Sequence, residues 1–157
     1  MAVVKNRIPL FIQESSLKRQ YPNSVIFRDK EKTLSWKYTV RPTPLSLEYT
    51  VKLKYSLGKG VKAYVIDPKP LPLAKAKHKL PHVYSTVEQQ LCLYYPDYRE
   101  WHPGLLFAKT IVPWIIEWLY FYEIWLGGGE WLGGGIDHAE EPLEAIEDPD
   151  RGNCSRG

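Results

Sequence analysis

The stretch from Leu105 to Leu126, LLFAKTIVPWIIEWLYFYEIWL, constrains the fold more than any other part of this chain. Its length invites a membrane-spanning reading. Lys109, Glu117 and Glu123 argue against that, because charges at bilayer depth are costly, and Pro113 interrupts the ladder. A helix apolar on nearly every face must instead be buried in protein. The rest of the chain therefore has to wrap around it. Pro113 is expected near the start of its continuous part, or at a kink. Gly127-Gly128-Gly129 is expected to end it.

With 157 residues, 44% of them hydrophobic, the chain suits one globular domain plus a tail. Residues 8–21 carry Leu10, Glu14, Leu17 and Tyr21 at helical spacing behind Pro9, which predicts a first helix ending at Tyr21-Pro22-Asn23. The period then changes to two. Leu34–Val40 alternates strictly, as does Leu47–Tyr55 with Leu47, Tyr49, Val51, Leu53 and Tyr55 on one face. Gly58-Lys59-Gly60 turns the chain into Val61–Ile66. This reads as an antiparallel meander of about four strands with lysines outward. Asp67-Pro68-Lys69-Pro70-Leu71-Pro72 is too stiff to continue a ladder. Residues 73–81 are basic and irregular, and Leu91–Tyr95 is a short strand or extended segment before Pro96. The expected class is α+β: an N-terminal helix, a four-stranded antiparallel meander, an irregular active-site segment and a central buried helix.

Charge is divided unevenly. Residues 1–80 hold 17 Lys/Arg and 5 Asp/Glu, whereas residues 81–157 hold 4 and 13. A basic half suits an acidic partner or nucleic acid, and equally suits solvated strand faces. Nucleic acid ranks low, because the lysines are not visibly interleaved with aromatics into a stacking platform. Residues 1–136 are expected to form the domain and residues 137–157 an acidic, disordered tail. Gly133-Gly134-Gly135 reads as a turn, since the Gly-Lys-Ser/Thr element of a phosphate cradle is missing. No secretory signal follows Met1–Arg7. The two cysteines, Cys92 and Cys154, lie far apart and form no disulfide framework, so a reducing cytoplasmic location is expected. Cys154 sits in a Gly/Asn/Ser/Arg tail and reads as a bystander.

Cys92 is different, because it stands within Leu91-Cys92-Leu93 and inside a fixed framework. Pro81-His82-Val83-Tyr84 precedes it, with His82 ten residues upstream, and Trp101-His102-Pro103 follows. This order resembles the active-site stretch of ubiquitin-conjugating enzymes. There a His-Pro-Asn tripeptide stands ten residues before a cysteine flanked as Ile-Cys-Leu, and a Trp-x-Pro triplet precedes the central helix. The resemblance covers roughly residues 8–126. Ala108–Trp114, Glu117-Trp118-Leu119, Tyr122-Glu123 and Gly129–Gly135 look like the bacterial branch of that fold, found in cyclic-oligonucleotide anti-phage (CBASS) operons.

That resemblance implies a cysteine acyltransferase of ubiquitin-conjugating-like fold, in the stand-alone form. Cys92 would be the thioester nucleophile. Its acyl group would be the C-terminus of a cGAS-like nucleotidyltransferase, passed on to a protein amine acceptor. His82 would order the active-site loop, Trp101 and Pro103 would position substrate, and His102 would be a candidate proton shuttle. The asparagine that supplies an oxyanion contact in the family is missing, and Tyr84 stands at its position. The chemistry is coherent: a thiolate is the reacting form of cysteine, and a thioester keeps an acyl group activated toward amines.

Each residue also has a plainer reading. A cysteine between leucines is usually a buried small hydrophobe. His82 and Trp101 serve as readily in loop structure and packing. His78, His82, Cys92 and His102 lack the paired short spacings of a structural zinc site, so no metal and no cofactor are expected. The missing asparagine motivates an alternative, a non-catalytic binding module of the same fold that scaffolds the nucleotidyltransferase.

Overall fold

The computed structural model describes residues 7–95 and 100–134. The expected tail, 137–157, lies outside them. The chain opens with helix α1 (Leu10–Gln20) and then runs through strands β1 (Val25–Asp29), β2 (Thr33–Val40), β3 (Tyr49–Ser56) and β4 (Gly60–Asp67). Two short strands follow, β5 (Val83–Ser85) and β6 (Gln90–Leu91). A 3-10 turn (Phe107–Lys109) then leads into helix α2 (Ile111–Gly128). All strands join one antiparallel sheet in the order β1-β2-β3-β4-β6-β5.

The α+β class and the meander are as expected, with three differences. β1 had no expectation, since its Val25 and Phe27 face solvent rather than the core. Leu47 lies outside β3 and is exposed, so the inward row begins at Tyr49. The active-site segment is not wholly irregular. β5 and β6 pair with each other and dock on β4 through Ala63↔Leu91 and Tyr64↔Gln90, so Leu91 is the last strand residue before Cys92.

Helix α2 starts six residues later than the apolar run. Pro113 sits in its first turn, where its missing N–H leaves no intrahelical bond unmade. At the other end Gly129 adopts φ 77°, and its N–H donates to the Trp125 carbonyl, a left-handed stop that glycine accepts without strain. Ile111, Val112, Ile115, Trp118, Leu119, Tyr122 and Trp125 form the buried stripe. Burial is not uniform around the helix: Tyr120 is exposed, and Trp114 and Phe121 are half-buried. Among the described residues no helix is long and apolar enough to cross a membrane.

The core lies between α2 and the inner sheet face, where Leu34, Trp36, Val51, Leu53 and Val65 are buried. Each large aliphatic or aromatic side chain buried there contributes about 1.5–3 kcal/mol of transfer free energy. Two buried glutamines stitch the irregular parts to this core. Gln13 of α1 donates to the Leu105 carbonyl and accepts from the Phe107 N–H, both at 2.9 Å. Gln89 donates to the Val65 and Pro68 carbonyls and accepts from the Leu71 N–H, fixing the proline-rich segment beside β4. Near the C-terminal end of α2, Glu123 accepts from the Ser46 and Tyr49 hydroxyls, which pins the β2–β3 connection.

Candidate active site

Cys92 follows directly on β6. Its N–H donates to the His82 carbonyl at 3.1 Å, and the same oxygen accepts the Trp118 indole N–H at 3.1 Å. One carbonyl therefore ties the cysteine, the preceding loop and the central helix together. To present that oxygen His82 takes φ 46°, a left-handed conformation that costs a non-glycine residue about 1 kcal/mol or more. Its two accepted hydrogen bonds hold it there. The His82 ring is buried and stacks on Trp131 at 5.0 Å between centroids.

Cys92 is only 5% exposed, and its sulfur lies 3.8 Å from the Tyr94 carbonyl oxygen. It lines an open groove of about 320 Å³ together with His82, Leu93, Trp114, Glu117, Trp118, Phe121, Trp131, Gly133 and Gly134. Trp114, Glu117, Trp118 and Phe121 recur at spacings of three and four, so one side of α2 forms a wall of this groove. The opposite lip is the segment after the helix. Cys92 is disulfide-bonded in this structure, against the expectation drawn from the sequence separation of the two cysteines. Cys154 lies outside the described residues, and thiol chemistry at Cys92 starts from its reduced form.

The other expected site residues are not gathered there. Tyr84 lines a separate pocket of about 300 Å³ with Val61, Lys62, Ala63, Gln90, Leu91, Leu93, Tyr94 and Ile111. Burial raises the Tyr84 phenol above its ordinary range. Burial, reinforced by Tyr84, pushes Tyr94 up to about 12. Both phenols thus stay protonated donors at neutral pH. Trp101 is buried against Tyr55, Tyr94 and Phe107, with its indole N–H unpaired, and does not line the cysteine groove. Pro103 accepts the Ile8 N–H at 2.9 Å and so anchors the entry to α1. His102 is exposed, with Nδ1 accepting the Gly104 N–H at 3.1 Å. His78 is exposed on the basic segment. Among the described residues no three His, Cys, Asp or Glu side chains gather to hold a metal.

Sequence reasoning missed two groove residues. Glu117 counted against membrane insertion and within a run that carried the resemblance but was given no site role, though its place between Trp114, Trp118 and Phe121 marks it as part of one helix face. Trp131 falls in the Gly129–Gly135 run of the resemblance but was given no site role, because its position depends on how the chain folds back after Gly129.

Residues 13–139 match the family model described as Type II CBASS E2 protein. The chain belongs to this family. Membership places it in CBASS anti-phage defence and makes it E2-like in kind, as the resemblance had implied. No curated protein matches the chain.

Proposed function

We propose that this Type II CBASS E2 protein is a cysteine acyltransferase of ubiquitin-conjugating-like fold. Reduced Cys92 takes the C-terminal acyl group of a partner protein as a thioester and passes it to an amine. The partner that best suits a CBASS setting is a cGAS-like nucleotidyltransferase. One observation carries the reading: the cysteine singled out by its framework lines an open groove, and its backbone is fixed by a carbonyl shared with the central helix. Fixing the nucleophile in this way lowers the entropic part of the barrier to acyl transfer. The groove is partly desolvated by aromatic rings, which favours a neutral attacking amine over its ammonium form. A reducing cytoplasm would keep Cys92 as a thiol.

The test uses cells that express the protein with an epitope-tagged partner nucleotidyltransferase. The expected result is a higher-mass species cleaved by thiols and missing in Cys92→Ala. Formation of the same species by Cys92→Ala would sink the reading. The second reading, a scaffold without catalysis, is favoured by Tyr84, which stands where the family has its asparagine yet lines a different pocket. It expects Cys92→Ala to retain both partner binding and phage protection.

A further inference from the structure

The outer face of the sheet, turned away from α2, carries charge that the described fold does not neutralise. The register places Lys37 directly opposite Lys52, and Lys54 directly opposite Lys62. These side chains point outward, since Trp36, Leu53 and Ala63, which alternate with them, are buried in the core. Like charges directly opposite one another on a sheet are destabilising, and this face holds two such pairs side by side. Asp29 and Asp67 lie one rung beyond them, opposite Thr33 and Thr50, and Glu88 acts on Tyr64 at the β4 margin. Among the described residues none of the four lysines forms an ion pair. On the other margin the same two rungs end in Val25, opposite Lys37, and Phe27, opposite Ser35, which are 64% and 70% exposed. The surface is therefore basic with an apolar rim.

The same chain carries the complement. Residues 137–150 contain seven acidic residues and no lysine or arginine, with Leu143 and Ile146 among them. The described fold leads toward this segment through a strap, Glu130–Gly134, that folds back after the Gly129 stop and stacks Trp131 on His82. His82 directly precedes β5, the strand at that end of the sheet, so the chain leaves beside the sheet's edge. From there β2 is four strands away, roughly 20 Å at the usual strand spacing. The stretch 135–150 spans up to about 50 Å when extended, which brings all four lysines within reach. A tethered segment meets its site at an effective concentration in the millimolar range, so contacts between exposed charges that are weak one by one suffice to hold it.

We infer that the acidic segment 137–150 docks on the lysine face of its own sheet, with carboxylates among the opposed lysines and apolar side chains toward Phe27, and so screens this face from other polyanions. The inference is independent of the acyl-transfer reading of Cys92. The segment is the occupant the observations favour, because charge, apolar rim and tether all match it. A separate polyanion matches the charge and has no tether.

The first test is zero-length cross-linking of the full chain. The reduced protein, desalted from its reductant, is treated with a water-soluble carbodiimide, and the monomer is mapped by mass spectrometry. A carboxylate and a lysine amine in contact condense to an amide; the protein loses one water, which converts the carbodiimide to its urea. Links from residues 137–150 to Lys37, Lys52, Lys54 or Lys62 are expected. They should fall several-fold in 1 M salt, where the Debye length is about 3 Å. Links only to Lys75, Lys77 and Lys79 of the basic loop, links only between copies, or no link from the segment on folded protein would overturn the inference.

The second test reads the screening by fluorescence anisotropy, with a fluorescein-labelled oligonucleotide as a polyanion probe. Glu140→Gln, Glu141→Gln, Glu144→Gln and Glu147→Gln together should tighten binding by about tenfold or more. Adding Lys37→Gln, Lys52→Gln, Lys54→Gln and Lys62→Gln should abolish that gain. The same change of net charge made at Lys30, Lys32, Lys75 and Lys77 should leave most of it. Equal affinity before and after neutralising the segment, or an equal response to the two sets of lysines, contradicts docking on this face.

Discussion

Two pockets flank the short segment that follows β6, and Leu93 lines both. On one side Cys92 meets His82, Glu117 and the aromatic wall of α2. On the other Tyr84 and Tyr94 close over Val61, Ala63 and Ile111. The two sides are built from similar material, yet of the two only one brings a cysteine, a carboxylate and an imidazole to a single groove. The other holds two phenols kept protonated by burial. Tyr84, expected from the resemblance at the place of an asparagine, lies on the far side of the Cys92 segment. If the proposed chemistry belongs to the Cys92 groove, substitutions on the two faces should read out differently.

The largest separation should come from Cys92→Ala. All thiol-sensitive adduct should disappear, while unfolding free energy in urea changes by about 1 kcal/mol, an ordinary value for one buried side chain. Trp118→Phe should come next. It deletes one of the two donors to the His82 carbonyl and should cost about 1–2 kcal/mol in the same unfolding measurement.

The tyrosine side should respond to alkali instead. The folded pKa of Tyr94 is raised above the ordinary value of 10.0 to about 12, as is that of Tyr122, chiefly by burial. The folded state therefore holds these protons more tightly than the unfolded chain. Stability from this source is complete below about pH 10 and is lost as pH rises toward about 12. Chemical denaturation across that window should reveal the decline, and Tyr94→Phe should make it shallower. The smallest effect should belong to Tyr84→Phe, with Cys92 loading within about twofold of wild type. A fall of a hundredfold, the scale of a lost oxyanion donor, would erase the distinction between the two sides.

Much of this was legible from the residues in order. Strict alternation gave β2 and most of β3, and the Gly58-Lys59-Gly60 turn led into β4. The helical spacing of Leu10, Leu17 and Tyr21 gave α1, and an apolar run too charged for lipid gave a central helix. β1 was not legible, because its apolar residues point to both faces: Val25 and Phe27 are exposed, Phe27 at 70%, while Ile26 packs against the core. The β5–β6 hairpin was missed for another reason: strands of three and two residues are too short to set a period. The site divides in the same way. The framework of His82, Cys92 and Trp101-His102-Pro103 lies along the chain and could be read there. Which of its members meet in space could not. Trp101 is drawn inward by Tyr55 and Phe107, whereas Glu117 and Trp131 reach the groove through the helix face and the returning strap.

The central claim is that Cys92 is the residue that carries the acyl group. Its most direct test is intact-protein mass spectrometry of the reduced chain after reaction with a glycyl peptide thioester, followed by peptide mapping. The account predicts one added acyl mass, located on Cys92, discharged by hydroxylamine at neutral pH and missing in Cys92→Ala. An acyl group mapped to Cys154, or no stable adduct on a folded protein, would contradict it.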